Sequence, residues 1–431
     1  MTFAARSLST IPRRIVASRQ GFSTLLNLED EFPGLPSVSP QAAKATTGSV
    51  STLPNGLTIV SEDASSTSTV TMTYPNAGSA SEMMNEQGAA FLNKCLAFKS
   101  GSDKSSLLIN RMIENEGGMP FVTANRSSAT LGYTVAPEKA VGLVDLLATD
   151  CSFEKWDIRD ARALADTESE VASTSAQIVL TENLFAASYG PQSSAGRPFY
   201  STLASLDTIT QFRDRAYGLN GAVLAATGIQ DHSAFCTEVA ELLSGAHEGS
   251  AVEKPAMAYL GGESRVAAPS SGYAHVALAF QGPTSSVIGD VIKQLFCLAG
   301  IESGVSGFTA TGMVGVYAGS TNPSGLIDAM TRVVTLTVSP DVIKRAKKLA
   351  KAEALFALDG GSKALAEFMT ASVIESGSFS NALDVALAYD SVTEAQVKDA
   401  LIAVLKSNPT LAAVGDITTV PYHATVAARF T

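Results

Sequence analysis

Four cysteines and four histidines set the limits of the nucleophilic and metal chemistry open to this chain of 431 residues. Cys95, Cys151, Cys236 and Cys297 are scattered, with no C-x-x-C pair, a pattern of reduced thiols in a non-oxidising compartment. His232, His247, His275 and His423 all fall in the later parts of the chain, and no two stand three to five residues apart. A hydrolytic zinc needs three protein ligands, an open position for water and a base beside that water. These spacings supply no such set, and no Ser-His-Asp or Cys-His spacing offers a nucleophile with its base.

The element most suited to carrying chemistry is Gly88–Gly101, G-A-A-F-L-N-K-C-L-A-F-K-S-G. Its pattern predicts an amphipathic helix opened by Gly88 and closed by Gly101, with Phe91, Leu92, Cys95, Leu96 and Phe98 as apolar positions. Cys95 reads as a small buried hydrophobe. A long charged helix is expected over 152–173, where Glu168 and Glu170 read as solvated surface charges. Strands are expected at 69–74, 128–135 and 222–228, and helices at 105–116, 137–149 and 205–217.

The stretch at Gly88 resembles the helix of the pitrilysin and mitochondrial processing peptidase family, where G-x-x-H-F-L-E-H-x-x-F-K carries the zinc ligands and the general base. Aligned on Gly88 and on Ala97–Lys99, the first His of that motif falls on Phe91, the Glu on Lys94 and the second His on Cys95. Phe91 has no lone pair and Lys94 is a cation where a carboxylate should be. Glu168 lies where the family's downstream metal-ligating Glu would be. The resemblance therefore implies an inactive relative with no catalytic residue, no metal and no cofactor. Leu53–Val60 (L-P-N-G-L-T-I-V) is similar to the opening strand of the family. Asn183–Gly190 with Gly196-Arg197-Pro198 is similar to its aromatic helix and G-R-P turn; Arg197 itself reads as a solvent-facing turn residue.

The second half repeats the first. Gly132, Gly142, Asp145, Asp207 and Thr210 recur 183 residues later as Gly315, Gly325, Asp328, Asp390 and Thr393. Ala161–Glu168 matches Ala346–Glu353 at an offset of 185, and Val70–Tyr74 matches Val276–Phe280 at 206. Between 206 and 183 the second copy has lost 23 residues. The expected fold is α+β, with two homologous domains, each a mixed or antiparallel sheet covered by helices, of the pitrilysin, metallopeptidase-like type. The expected division is 1–49 as a transit peptide and extended arm, 50–244 as the first domain, 245–260 as a linker rich in Gly, Ser, Ala and Glu, and 261–431 as the second domain.

Residues 1–28 hold Arg6, Arg13, Arg14 and Arg19, several serines and no acidic residue, the profile of a mitochondrial transit peptide. Its removal would take the net charge from −11 to −15. This negative balance, without a basic patch interleaved with aromatics, argues against a nucleic-acid partner. The longest apolar run, Val287–Ile301, is interrupted by Asp290 and Lys293 and falls short of a membrane span of roughly 20 residues.

Tyr259–Arg265 (Y-L-G-G-E-S-R) resembles the lead-in to the second domain in the non-catalytic, core-subunit branch of the family. That branch implies a structural subunit of mitochondrial ubiquinol–cytochrome c reductase, peripheral on the matrix side of the inner membrane. Its partners would be a related core-1-like or processing-peptidase-like subunit and the membrane subunits of the complex. The alternative is the substrate-binding, non-catalytic subunit of the processing peptidase. In that subunit a long glycine-rich loop lies where this chain keeps only Gly300, Gly304 and Gly307.

Overall fold

Runs rich in β-branched and small residues build the strands, and their order shows the repeat directly. The structure is a computed structural model that describes residues 47–148, 150–249, 257–268, 272–335 and 339–430. The transit-peptide expectation lies outside these residues, as does the centre of the expected linker. Strands β1 (Gly48–Thr52), β2 (Thr58–Glu62), β3 (Ser68–Tyr74), β4 (Met119–Ala124), β5 (Ala129–Val135) and β6 (Val223–Ala226) form one sheet. The second contains β7 (Gly262–Ala267), β8 (Ala274–Gln281), β9 (Ser306–Ala310), β10 (Met313–Ser320) and β11 (Thr410–Gly415). The first runs β1-β2-β6-β3-β5-β4 and the second β7-β11-β8-β10-β9, so the orders coincide once β1 is set aside. In each, one pair is parallel, β2 with β6 and β7 with β11, and the remaining pairs are antiparallel.

The repeated glycines have a steric reason. Gly132 pairs with Phe121 and Gly315 with Phe308. A Cβ on Gly132 would stand 2.5 Å from the Phe121 ring, and one on Gly315 3.0 Å from the Phe308 ring. An aromatic ring on the edge strand thus lies across a bare backbone in both copies. The copies differ in register: Val70 faces Tyr133, whereas Val276 faces Ala318, two residues beyond the Val316 that the 183-residue offset gives. Because side chains alternate along a strand, an even slip leaves every residue on its original face.

The helices are α1 (Ala89–Cys95), α2 (Ser106–Asn115), α3 (Lys155–Thr174), α4 (Ala176–Tyr189), α5 (Leu206–Ala216), α6 (His232–Leu242), α7 (Ser286–Gly300), α8 (Leu326–Val334), α9 (Pro340–Leu358), α10 (Ser362–Ser376), α11 (Ala382–Ser391), α12 (Glu394–Leu405) and α13 (His423–Ala427). Three expectations are corrected. The helix expected to run to Gly101 stops at Cys95, since Phe98 turns left-handed at φ 56° and Asp157 accepts the Ser100 N–H at 3.1 Å. The helix expected over 137–149 is instead two short 3₁₀ turns, Pro137–Lys139 and Val141–Leu147. There the Tyr133 hydroxyl donates to the Ala140 carbonyl at 2.6 Å and the Tyr74 hydroxyl to the Leu147 carbonyl at 3.0 Å, which draws both carbonyls toward the core. Asp207 lies in the first turn of α5, but its counterpart Asp390 belongs to the end of α11, one element earlier.

Each sheet has one face covered by helices of its own half. The other face is covered by an exchange. Leu180, Leu184, Phe185 and Tyr189 of α4 cluster with Ala277, Ala279, Ala412 and Val414 of the second sheet. The equivalent helix α10 sets Ala366, Met369 and Val373 against Val60, Val223 and Ala225 of the first sheet. Alanines on the sheets let the helices approach closely, and each large side chain buried there contributes about 1.5–3 kcal/mol.

This exchange is expected to make the two halves unfold as one unit. Met369→Ala, at a fully buried position of α10, is expected to lower stability by about 2–5 kcal/mol in urea denaturation. Amide exchange should accelerate in β2, β3 and β6, which are more than 140 residues away in sequence. Acceleration confined to α10 would show that the halves unfold independently.

Candidate functional site

The environment of α1 is built from a loop whose two acids, Glu82 and Glu86, are buried. Residues 82–88 turn into the helix at Gly88, whose φ of 90° and whose approach to the Ser201 carbonyl (2.4 Å from an added Cβ) both require glycine. The Glu82 carboxylate accepts from the Gly88 and Ala90 N–H groups at 3.2 and 2.9 Å, capping the helix N-terminus. Burial pushes Glu82 up to about 7, against the two backbone donors and Arg197, which hold it down. Arg197 is buried, contrary to the solvent-facing role read from its G-R-P turn. Its guanidinium donates at 2.7 Å to both the Glu82 and the Met83 carbonyls, the first of which is buried and needs a donor. Arg215 pairs with Glu86 on the same loop at 2.5 Å.

Downstream of this cap, α1 packs against α3 and α5. Buried Asn93 donates to the Ala89 and Ile209 carbonyls, fixing α1 to α5. Phe91 is wholly enclosed, its ring 5.5 Å from Phe199 and 5.4 Å from Tyr200. The Lys94 ammonium lies 2.6 Å from Glu168 Oε2 on α3 and 5.6 Å from the Phe91 centroid. Glu168 is therefore paired and partly covered rather than a free surface charge, while Glu170 is exposed. Cys95 is buried, and burial together with the Glu168 charge pushes its thiol up to about 11. The four positions that the motif singles out do come together in space. An enclosed phenyl ring, an ammonium, a protonated thiol and one carboxylate already bonded to that ammonium do not fit a hydrolytic zinc. No group of three His, Cys, Asp or Glu able to hold a metal occurs among the described residues.

The second half has the same device. On α7 and α9, the equivalents of α1 and α3, Lys293 reaches Glu353 at 2.7 Å, and Glu353 is the repeat partner of Glu168. Desolvation raises the Glu353 carboxyl, but bonds from Lys293 and Gln294 leave it below its ordinary value. In both halves a lysine on the helix after the central strand thus bolts that helix to its long neighbour.

One cluster escaped the sequence reading. Cys236 stands four residues after His232 on α6, with Sγ 3.4 Å from Nε2, and the imidazole also bonds Ser61 at 2.7 Å and Ser51 at 2.8 Å. The i, i+4 spacing was the available signal. Burial lowers His232 and raises Cys236, so the pair is a neutral imidazole and a neutral thiol. It ties β1 to β2 and α6 and does not form the ion pair of a nucleophile.

Known proteins give these features a context. The insulinase family (peptidase family M16) matches residues 58–201. The alpha subunit of the mitochondrial-processing peptidase of Solanum tuberosum is 25% identical over 88% of this chain and 84% of its own length. Human cytochrome b-c1 complex subunit 2, mitochondrial, is 29% identical over 49% of this chain and 48% of its own length. A chain in the solved structure "Complex III2 from Candida albicans, Inz-5 bound" superposes with a TM-score of 0.73 at 16% identity, covering 89% of this chain and 99% of that one. This last likeness is one of fold.

Two outcomes follow from the geometry. Glu82 has its folded value raised to about 7 from 4.5, so its contribution is complete below pH 4.5 and disappears as pH rises through 7. Stability should fall between pH 5 and 7 by up to about 1.4 kcal/mol per pH unit, and Glu82→Gln should flatten that slope in urea titrations. A double-mutant cycle of Lys94→Ala and Glu168→Ala should give a coupling of about 0.5–1 kcal/mol, as for a partly exposed pair.

Proposed function

We propose that this chain, which is similar to processing-peptidase subunits and to a cytochrome b-c1 core subunit, is a non-catalytic structural core subunit of the mitochondrial ubiquinol–cytochrome c reductase. It supports assembly and stability of that complex from the matrix side of the inner membrane. The observation that carries its inactivity is the Lys94–Glu168 clamp beside enclosed Phe91, in place of a ligand set and a base. Its two halves divide as 50–244 and 261–431. No helix among the described residues is long and apolar enough to cross a membrane, which accords with a peripheral place.

The proposed work is burial of surface against a related core-1-like subunit and against membrane subunits. Obligate interfaces of this kind commonly exceed about 2,000 Å² and are apolar. Phe356 on α9 and Leu383 and Leu387 on α11 are exposed large hydrophobics on adjacent helices, of the sort such a neighbour would cover.

The second reading, the substrate-binding subunit of the processing peptidase, is favoured by the longer match to alpha subunits. The region of the glycine-rich loop speaks against it. Here α7 ends at Gly300, a 3₁₀ turn spans Ile301–Ser303 and β9 begins at Ser306. Gly300 and Gly307 are packing glycines, with an added Cβ 1.9 Å from the Val305 carbonyl and 2.3 Å from the Lys293 carbonyl. They leave no extended loop to hold a presequence.

Mild detergent extraction, native electrophoresis and mass spectrometry should find the chain with cytochrome b, cytochrome c1 and the Rieske protein. Recovery only in a soluble heterodimer with a zinc-bearing relative would overturn this in favour of the processing peptidase. The purified chain should hold less than about 0.1 zinc per molecule and cleave no presequence peptide.

A further inference from the structure

Beside the C-terminal half of α5 lies a cavity of about 530 Å³ that none of these roles uses. Its interior presents Tyr74, Phe153, Arg213 and Tyr217, and its mouth the exposed carboxylates Asp150 and Asp214. The Arg213 guanidinium stands over the Tyr217 ring at 4.9 Å, and the rings of Tyr74 and Tyr217 are 4.9 Å apart. The Tyr217 hydroxyl is buried and has no hydrogen-bond partner among the described residues. An orphaned hydroxyl of this kind is destabilising unless a ligand or water completes it. Burial pushes its phenol up to about 12, so it remains a donor.

A second observation points to the same place. Phe98 and Phe153 are the non-glycine residues with left-handed backbone among those described, at φ 56° and 50°. Phe153 lines the cavity, and Phe98 belongs to the loop leaving α1. The two loops are fastened together where the Ser152 N–H and hydroxyl both donate to the Ser100 carbonyl, at 2.8 and 2.9 Å. Such conformations persist only where surrounding contacts over-determine them, and they concentrate at ligand clamps. Here the strain holds an aromatic ring in the cavity wall.

We infer that this cavity binds a small zwitterion with an apolar side chain, either a free amino acid or a dipeptide ending in that residue. Its carboxylate accepts from Tyr217 and Arg213, its side chain lies against Tyr74 and Phe153, and its cationic end meets Asp150 and Asp214 at the mouth. The volume accommodates one or two residues. A dianion is disfavoured by the two acids at the rim, and a neutral amide offers the arginine no charge.

Cys151, half-buried in the same wall, is the reporter. The full chain would be treated with iodoacetamide and alkylation of Cys151 followed by peptide mass spectrometry, with Cys236 as internal reference. Phenylalanine at millimolar concentration should slow Cys151 alkylation several-fold in a saturable manner and leave Cys236 unchanged. Phenylalaninamide should give no protection, and N-acetylphenylalanine less than the free amino acid. A dipeptide ending in phenylalanine, whose amine lies one residue further out, separates the two sources: stronger protection by it assigns the site to dipeptides, weaker protection to free amino acids. Tyr217→Phe, which removes only the orphaned hydroxyl, should weaken protection about tenfold. Asp150→Asn should narrow the gap between phenylalanine and its N-acetyl form. No saturable protection by any of these acids, or equal protection by the amide, would overturn the inference, provided the wild-type chain unfolds cooperatively under the same conditions.

Discussion

Everything in this molecule depends on the exchange of α4 and α10 between its two sheets. A sheet with two apolar faces must bury both, and each half supplies enough helix for only one. The second face is closed by the partner half's equivalent helix, so neither sheet is complete alone. This reciprocity also sets the composition of the sheet faces. Alanines at 225, 277, 279 and 412 allow helices to lie close, where larger residues would hold them off. It also explains why the connection between the halves need not carry the burden of holding them together.

Within that frame, α1 serves as a packing element. Its N-terminus is capped by Glu82, its middle is tied to α5 through Asn93, and its exposed edge is bolted to α3 by Lys94 and Glu168. The second half carries Lys293 and Glu353 at the corresponding place. A partly covered carboxylate needs a counter-charge, and a lysine on the helix packed beside it supplies one.

The repeat, the α+β class and the identities of Phe91, Lys94, Cys95 and Glu168 were legible in the sequence, because periodicity and residue chemistry are local properties. The strand at 69–74 and the helices at 105–116 and 205–217 appear within a residue or two of where the pattern puts them. Arg197 was misread because a turn signature says nothing about what lies above it. Only the folded chain places the Glu82 and Met83 carbonyls there. The helix expected over 137–149 tightened into 3₁₀ turns for a similar reason, as two tyrosines from distant strands capture its carbonyls.

What the sequence determined by itself is the α+β class and that one domain-sized pattern occurs twice. Both follow from which residues are present and in what order. What tertiary structure alone decided is which helix covers which sheet, that Lys94 finds Glu168 across 74 residues, and that His232 bonds strands far from it in sequence. These are long-range pairings, selected by the burial of whole faces after the local elements form, and no short stretch of sequence holds the information for them.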